Sequence, residues 1–189
     1  MALLKLHEQS SISDPEILGI SEWVTEMEGK VPNHFLLELN FPEFMKAKLG
    51  ATKVLWESGE LSPETIQHIG ILVSRANGCA YCTGAFCTIL GHGLNASEAY
   101  VQELAAEGIS AVGEVKIKVM LDFALKVNDE PRSIDQADID ALKASGLTDK
   151  GVLQLVHLVS DFASYNRLNL ALKTDYDYEN FGPQAGQSD

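Results

Sequence analysis

Ser62-Pro63-Glu64 stands directly ahead of a run in which Ile66, Ile69, Ile71, Leu72 and Val73 return at helical spacing, and Asn77-Gly78 closes it. A hydroxyl that can cap, a proline whose fixed φ suits the first turn and an acid facing the positive helix end together mark a helix start. The same grammar repeats along the chain. Asp14-Pro15 opens a segment carrying Ile17, Leu18, Trp23, Val24 and Met27; Ser97 caps a helix ending near Ala106; Thr148 caps one reaching about Leu172. The β-branched residues lie inside these longer patterns, and no Asn-Gly or Asp-Gly pair joins two alternating apolar runs as a hairpin would. The sequence predicts an all-α fold.

Further helices are predicted from His34 to about Leu39, Pro42 to about Trp56, Cys79 to Gly91 or Gly93, and Ala111 to Val127. The last of these carries Val115, Val119, Phe123 and Ala124 on one face. Ser133-Ile-Asp-Gln136 has the pattern of a capping box opening a helix to Ala144. Residues 1–173 read as one helical domain with its core at 61–93, and 174–189 as a polar, loose tail.

Fourteen Lys and Arg against 27 Asp and Glu leave a net charge of −13. That balance argues against nucleic acid and anionic membrane surfaces, which recruit positive side chains. A mean hydropathy of −0.01 and the lack of an apolar run near 18–20 residues argue against a membrane span. Three cysteines, an odd number, do not make a disulfide-stapled secreted scaffold. The N-terminal apolar stretch is short and interrupted by Glu8, unlike a signal peptide, so the sequence places the protein in the cytoplasm. There a cysteine pair points to catalysis, redox chemistry or metal.

Cys79-Ala-Tyr-Cys82 falls on the first turn of a predicted helix. Free N–H groups and the positive dipole end stabilise a thiolate there, and residues i and i+3 share neighbouring faces within bonding reach. One thiolate can attack a substrate and the other can resolve the product as a disulfide. The plainer reading is two small buried hydrophobes. Zinc is disfavoured: at about 100° per residue Cys87 points some 140° from Cys82, and His92 lies roughly 15 Å along the axis from Cys82, so one helix cannot gather them into a tetrahedron. No metal or cofactor is expected, and Cys87 reads as a core thiol.

The segment from Leu61 to about Gly91, with its Ser62-Pro63 start and Asn77-Gly78-Cys79-Ala-Tyr81-Cys82, resembles the AhpD-like alkylhydroperoxidase branch of the carboxymuconolactone decarboxylase superfamily. Ala124-Leu-Lys126, Ala144-Ser-Gly-Leu-Thr148 and Tyr165-Asn-Arg-Leu168 are similar to its uncharacterised peroxidase-related subgroup, so the likeness spans about residues 15–172. The resemblance implies an all-helical bundle with the C-x-x-C at the N-terminus of a core helix, homo-oligomers, and thiol-dependent hydroperoxide reduction. It implies Cys82 as the attacking thiol, Cys79 as the resolving one, and an external dithiol as reductant. The decarboxylase branch lacks the cysteine pair, so its chemistry is not implied.

The chain departs from that pattern at two positions. The family has a Glu twelve residues before the first cysteine and a His four after the second; here these are Gln67 and Phe86. Gln67 cannot take a charge and Phe86 cannot carry a proton, so the implied proton relay is missing. Glu64, one turn before Gln67, and His157, four residues before Asp161, are the auxiliary candidates; His68 points elsewhere. Trp23 and Trp56 sit at apolar helical positions that suit core or interface, and Asn166-Arg167 suits a solvated face or a subunit contact. Two functions follow: hydroperoxide reduction or thiol–disulfide exchange at Cys79/Cys82, weakened by the lost relay, or a non-enzymatic redox-sensing or interaction protein that keeps the fold.

Overall fold

The computed structural model describes residues 1–179 as nine α-helices: α1 (Pro15–Glu28), α2 (Asn33–Glu38), α3 (Pro42–Glu57), α4 (Pro63–Ala76), α5 (Ala80–Thr88), α6 (Glu98–Glu107), α7 (Val115–Asp129), α8 (Gln136–Ala144) and α9 (Asp149–Leu172). No strand occurs among the described residues, and none of their helices is long and apolar enough to cross a membrane. The expected caps are in place. Asp14 accepts from the N–H groups of Glu16 and Ile17, Ser62 from that of Thr65, Ser97 from that of Tyr100 and Thr148 from that of Lys150.

α4 forms the centre. Every residue from Thr65 to Ser74 is buried, so this helix is covered on all sides rather than along one stripe. It packs most heavily against α5, α9 and α7. α9, at 24 residues about 36 Å long, crosses the whole bundle and buries Leu155, Leu158, Val159 and Phe162 against it. α1 packs against α3 and against the chain that follows α5, and the His34 N–H on α2 donates to the hydroxyl of Tyr81 at the start of α5.

Three local expectations are corrected. Helix α7 starts at Val115, not Ala111, because Gly108–Ala111 forms a separate 3-10 turn and Val112 is extended at ψ 125°. Val115, as the first residue of its helix, is exposed, and the buried face is Met120, Leu121, Phe123 and Ala124. The capping box of α8 is built by Asp135 and Asp138, not Ser133 and Gln136. Ser133 belongs to a preceding turn and its hydroxyl donates back to the Glu130 carbonyl at 2.8 Å.

The C-terminal segment is also different over its described part. Lys173 turns the chain left-handed at φ 51°, and residues 174–179 return against the start of α5 instead of hanging loose. The Tyr178 hydroxyl donates to Glu28 at 2.5 Å, the Tyr81 hydroxyl donates to Asp177 at 2.9 Å, and Asp177 accepts from the Asn33 N–H at 3.1 Å. Two tyrosines supply the apolar area that a polar segment otherwise lacks, and Tyr176, Tyr178 and Tyr81 pack edge to face. The rest of the expected tail, 180–189, lies outside the described residues.

Candidate active site

The left-handed Gly78, at φ 67°, ends the turn after α4 and delivers Cys79 to the N-cap of α5. A cysteine takes the place usually held by Ser or Asp: Cys79 Sγ accepts the N–H of Cys82 at 3.4 Å. Cys79, Cys82 and Cys87 are all buried and all free. The two thiols of the motif differ in acidity. Hydrogen bonding from the Cys82 thiol, together with backbone N–H groups, holds Cys79 below its ordinary value against the effect of burial. Burial pushes Cys82 well up, and donation to Cys79 adds to this. When the pair carries one proton, it rests on Cys82. Cys87 is pushed up to about 12 by burial and behaves as a core thiol.

A cavity of about 60 Å³ opens beside α5, and Cys82, not Cys79, is on its wall. Trp23, Trp56, Phe86, Phe162 and Tyr165 are among the larger aromatic side chains of its lining. Trp23 meets Trp56 edge to face at 5.5 Å, and Phe86 lies 4.5 Å from Phe162. The two tryptophans are therefore cavity walls rather than core or interface alone.

Polar groups also reach this apolar space from outside the motif, among them Glu28, Thr52, Asn169 and His34. Asn169 of α9 donates from Nδ2 to Cys82 Sγ at 3.3 Å and to the Tyr165 carbonyl at 3.1 Å, while its Oδ1 has no partner. His34 of α2 lines the same cavity between two acids, with Nε2 3.6 Å from Glu28 and Nδ1 4.0 Å from Glu38. Burial opposes its charge, yet the two carboxylates outweigh burial and raise His34 to about 10. A positive imidazolium thus faces the thiol cavity at neutral pH.

The positions singled out from sequence are distributed unevenly around this site. Cys79 and Cys82 are together. Phe86 is on the cavity wall, its ring lying over Gly70 so closely that a Cβ there would overlap it. Gln67 is fully buried, and neither amide atom has a partner. Glu64 is exposed and leans on His68, 3.9 Å away, while His68 bonds Tyr100 at 3.0 Å. His157 is exposed, outside the cavity, and Asp161 instead pairs with Lys48 at 2.5 Å. Neither auxiliary candidate reaches the thiols. Asn166 is 1% exposed and belongs to no solvated face: it donates to Ser74 Oγ at 2.9 Å and accepts from Asn77 at 2.8 Å, bracing the turn before Cys79.

His34 and Asn169 escaped sequence reasoning, though both left traces. His34 sits four residues before Glu38, a spacing that pairs charges along a helix. Asn166 and Asn169, like Gln154, place amides on the buried face of α9, where burial requires them to be bonded.

The family model for the carboxymuconolactone decarboxylase family matches residues 42–126. No curated protein matches the chain. Among solved structures it is similar to an uncharacterised peroxidase-related protein with an alkylhydroperoxidase AhpD core from Ralstonia eutropha JMP134. Identity is 26%, coverage 95% of this chain and 94% of that one, and the TM-score 0.84. A peroxidase-related protein from Silicibacter sp. TM1040 follows with 25% identity, 96% and 94% coverage and a TM-score of 0.76. The unliganded debrominase Bmp8 shares the fold at 19% identity, 97% and 95% coverage and a TM-score of 0.80. With a helical bundle that matches these structures along almost its whole length, the chain is a member of the AhpD-like superfamily that includes the carboxymuconolactone decarboxylases.

Proposed function

We propose that the protein is a thiol-dependent oxidoreductase that reduces small organic hydroperoxides or exchanges with disulfides, using Cys82 as nucleophile and Cys79 as resolving thiol. The observation that carries this reading is the asymmetry of the pair: Cys82 faces the cavity, while Cys79 sits behind it at the helix N-cap. The acidity order does not contradict these roles. Moving the shared proton from Cys82 to Cys79 generates the nucleophile where a substrate can reach it, and Asn169 then donates to the new thiolate.

The aromatic walls favour an apolar substrate, and about 60 Å³ accommodates a few water-sized groups, enough for a hydroperoxy group and a short alkyl chain. The product sulfenic acid condenses with Cys79 to a disulfide, which an external dithiol reduces. A homo-oligomer is expected alongside this activity. The second reading, redox sensing without turnover, draws on the apolar Phe86 and neutral Gln67 that stand at the relay positions.

Purified protein should consume dithiothreitol in a tert-butyl hydroperoxide-dependent reaction, and Cys82→Ser should abolish it. Mass spectrometry after mild oxidation should find a Cys79–Cys82 link. A native protein whose two thiols remain separate and inert to hydroperoxide would end the proposal. One that forms the link but does not turn over would favour the sensor.

A further inference from the structure

We propose that His34 is the proton donor to the leaving oxygen at Cys82, supplied from α2 in place of the relay histidine that position 86 lacks. The inference rests on the hydroperoxide reading above. His34 and Cys82 share the wall of one cavity, and the His34 Nδ1 is buried with no hydrogen-bond partner. The nearest acids stand 3.6 Å from Nε2 and 4.0 Å from Nδ1, so neither ring nitrogen holds a short hydrogen bond that a bound oxygen would have to break. The backbone holds the ring in place: the His34 N–H donates to the Tyr81 hydroxyl at 3.0 Å, and Tyr81 is one residue from Cys82.

The other proton-bearing groups near the cavity are already engaged or too weakly acidic. The Tyr81 hydroxyl donates to Asp177, and burial pushes Tyr81 and Tyr165 well above the ordinary tyrosine value. Thr52 has its hydroxyl between Lys48 and Asp161. The charged and titratable groups facing His34 are Glu28 from α1, Glu38 from its own helix, Tyr81 and Cys82 from α5, and Tyr165 from α9. Lys48 and Asp161 stand behind Tyr165, while Asp177 and Tyr178 stand behind Tyr81 and Glu28.

The step balances without a further reagent. The Cys82 thiolate attacks the terminal oxygen of R–O–OH, the O–O bond breaks, and sulfur gives two electrons to oxygen. Cys82 becomes the sulfenic acid, and the departing alkoxide takes the proton of the His34 imidazolium to leave as R–OH. The Cys79 thiol then attacks the Cys82 sulfur; a disulfide forms and hydroxide leaves with the Cys79 proton as water. The external dithiol returns two electrons and two protons, one to Cys82 and one to His34.

The test compares His34→Gln with wild type on two oxidants, tert-butyl hydroperoxide and dithiodipyridine, whose thiopyridone leaving group needs no donated proton. Hydroperoxide turnover should fall by about 10²–10⁴-fold beyond any fall with dithiodipyridine, which registers the Cys82 thiolate alone, because that factor is the usual contribution of a general acid. Equal loss with both would mean His34 only supports the fold, and equal hydroperoxide rates for variant and wild type would leave it no role; either overturns the inference. A wild type inert to hydroperoxide but reactive to dithiodipyridine would remove the peroxidase reading itself. Should His34→Gln not fold, Glu38→Gln serves. It keeps the imidazole and withdraws one of its two carboxylates, so the alkaline fall in hydroperoxide turnover should move to lower pH, and an unmoved limb refutes the role.

Discussion

Replacing Asn169 with Leu removes a side-chain N–H that reaches Cys82 Sγ, at 3.3 Å, while filling nearly the same space. The Asn169 Oδ1 has no partner, so leucine leaves no acceptor stranded on its own side chain. A hydrogen bond to a charged group is worth about 1.5–3 kcal/mol. At 1.36 kcal/mol per unit, its loss raises the Cys82 thiol by about 1–2 units, and the thiolate fraction near neutral pH falls roughly 10–100-fold. The assay is alkylation of Cys82 by iodoacetamide across pH in a Cys79→Ser, Cys87→Ser background, where it is the sole thiol. Asn169→Leu should shift the whole pH–rate curve upward by that interval, the shift rather than the height being diagnostic of acidity instead of access. A curve that coincides with that of the parent would show that Asn169 does not stabilise the thiolate, and the assigned geometry of the nucleophile would fail with it.

His34 gains its proton affinity on folding, from an ordinary 6.5 to about 10. The stability it adds is complete below about pH 6.5 and is lost as pH rises towards 10, so the gap in urea midpoint between wild type and His34→Gln should shrink over that interval. Tyr178→Phe leaves a buried Glu28 oxygen without its donor and should cost about 1–3 kcal/mol in denaturant titration. The double change Gln67→Glu, Phe86→His places a relay at the family's spacing; if folded, it should raise hydroperoxide turnover, and a folded dithiol variant with no gain would show that the relay is not limiting. Light scattering should return a multiple of the 20.6 kDa chain mass, and a monomer across micromolar concentrations would contradict the expected assembly.

The helix starts were legible because capping chemistry is local. Asp14, Ser62, Ser97 and Thr148 each accept from an N–H two or three residues on, whatever packs around them. The start of α8 was misassigned because two caps compete within six residues, and Asp138 gains a second partner, Lys126 at 2.6 Å, that the sequence does not place beside it. The cysteine pair was legible for the same local reason. The groups that act on it were not. His34 is 48 residues before Cys82 and Asn169 is 87 after it, and only the packing of α1, α2 and α9 around α5 brings them to one cavity. The tail was misread because its polarity suggested solvent, while its tyrosines find a buried tyrosine on α5.

A relay histidine at position 86 would approach the nucleophile from one turn further along the same helix, within reach of an acid on α4 at position 67. In this chain that route is closed by mutual packing. Phe86 lies over Gly70 and against Phe162, and Gln67 is buried one turn away with no group to answer its amide. A proton must still reach the departing oxygen, because an alkoxide expelled into an aromatic-walled cavity has little water to take one from. Across that cavity stands a histidine flanked by two buried acids, on a short helix whose position depends on Tyr81 and whose neighbour Glu28 is bonded by Tyr178. The loss of the relay on one wall and the presence of an imidazolium on another are thus two halves of one arrangement, in which the described C-terminal segment helps to hold the acid that keeps His34 charged.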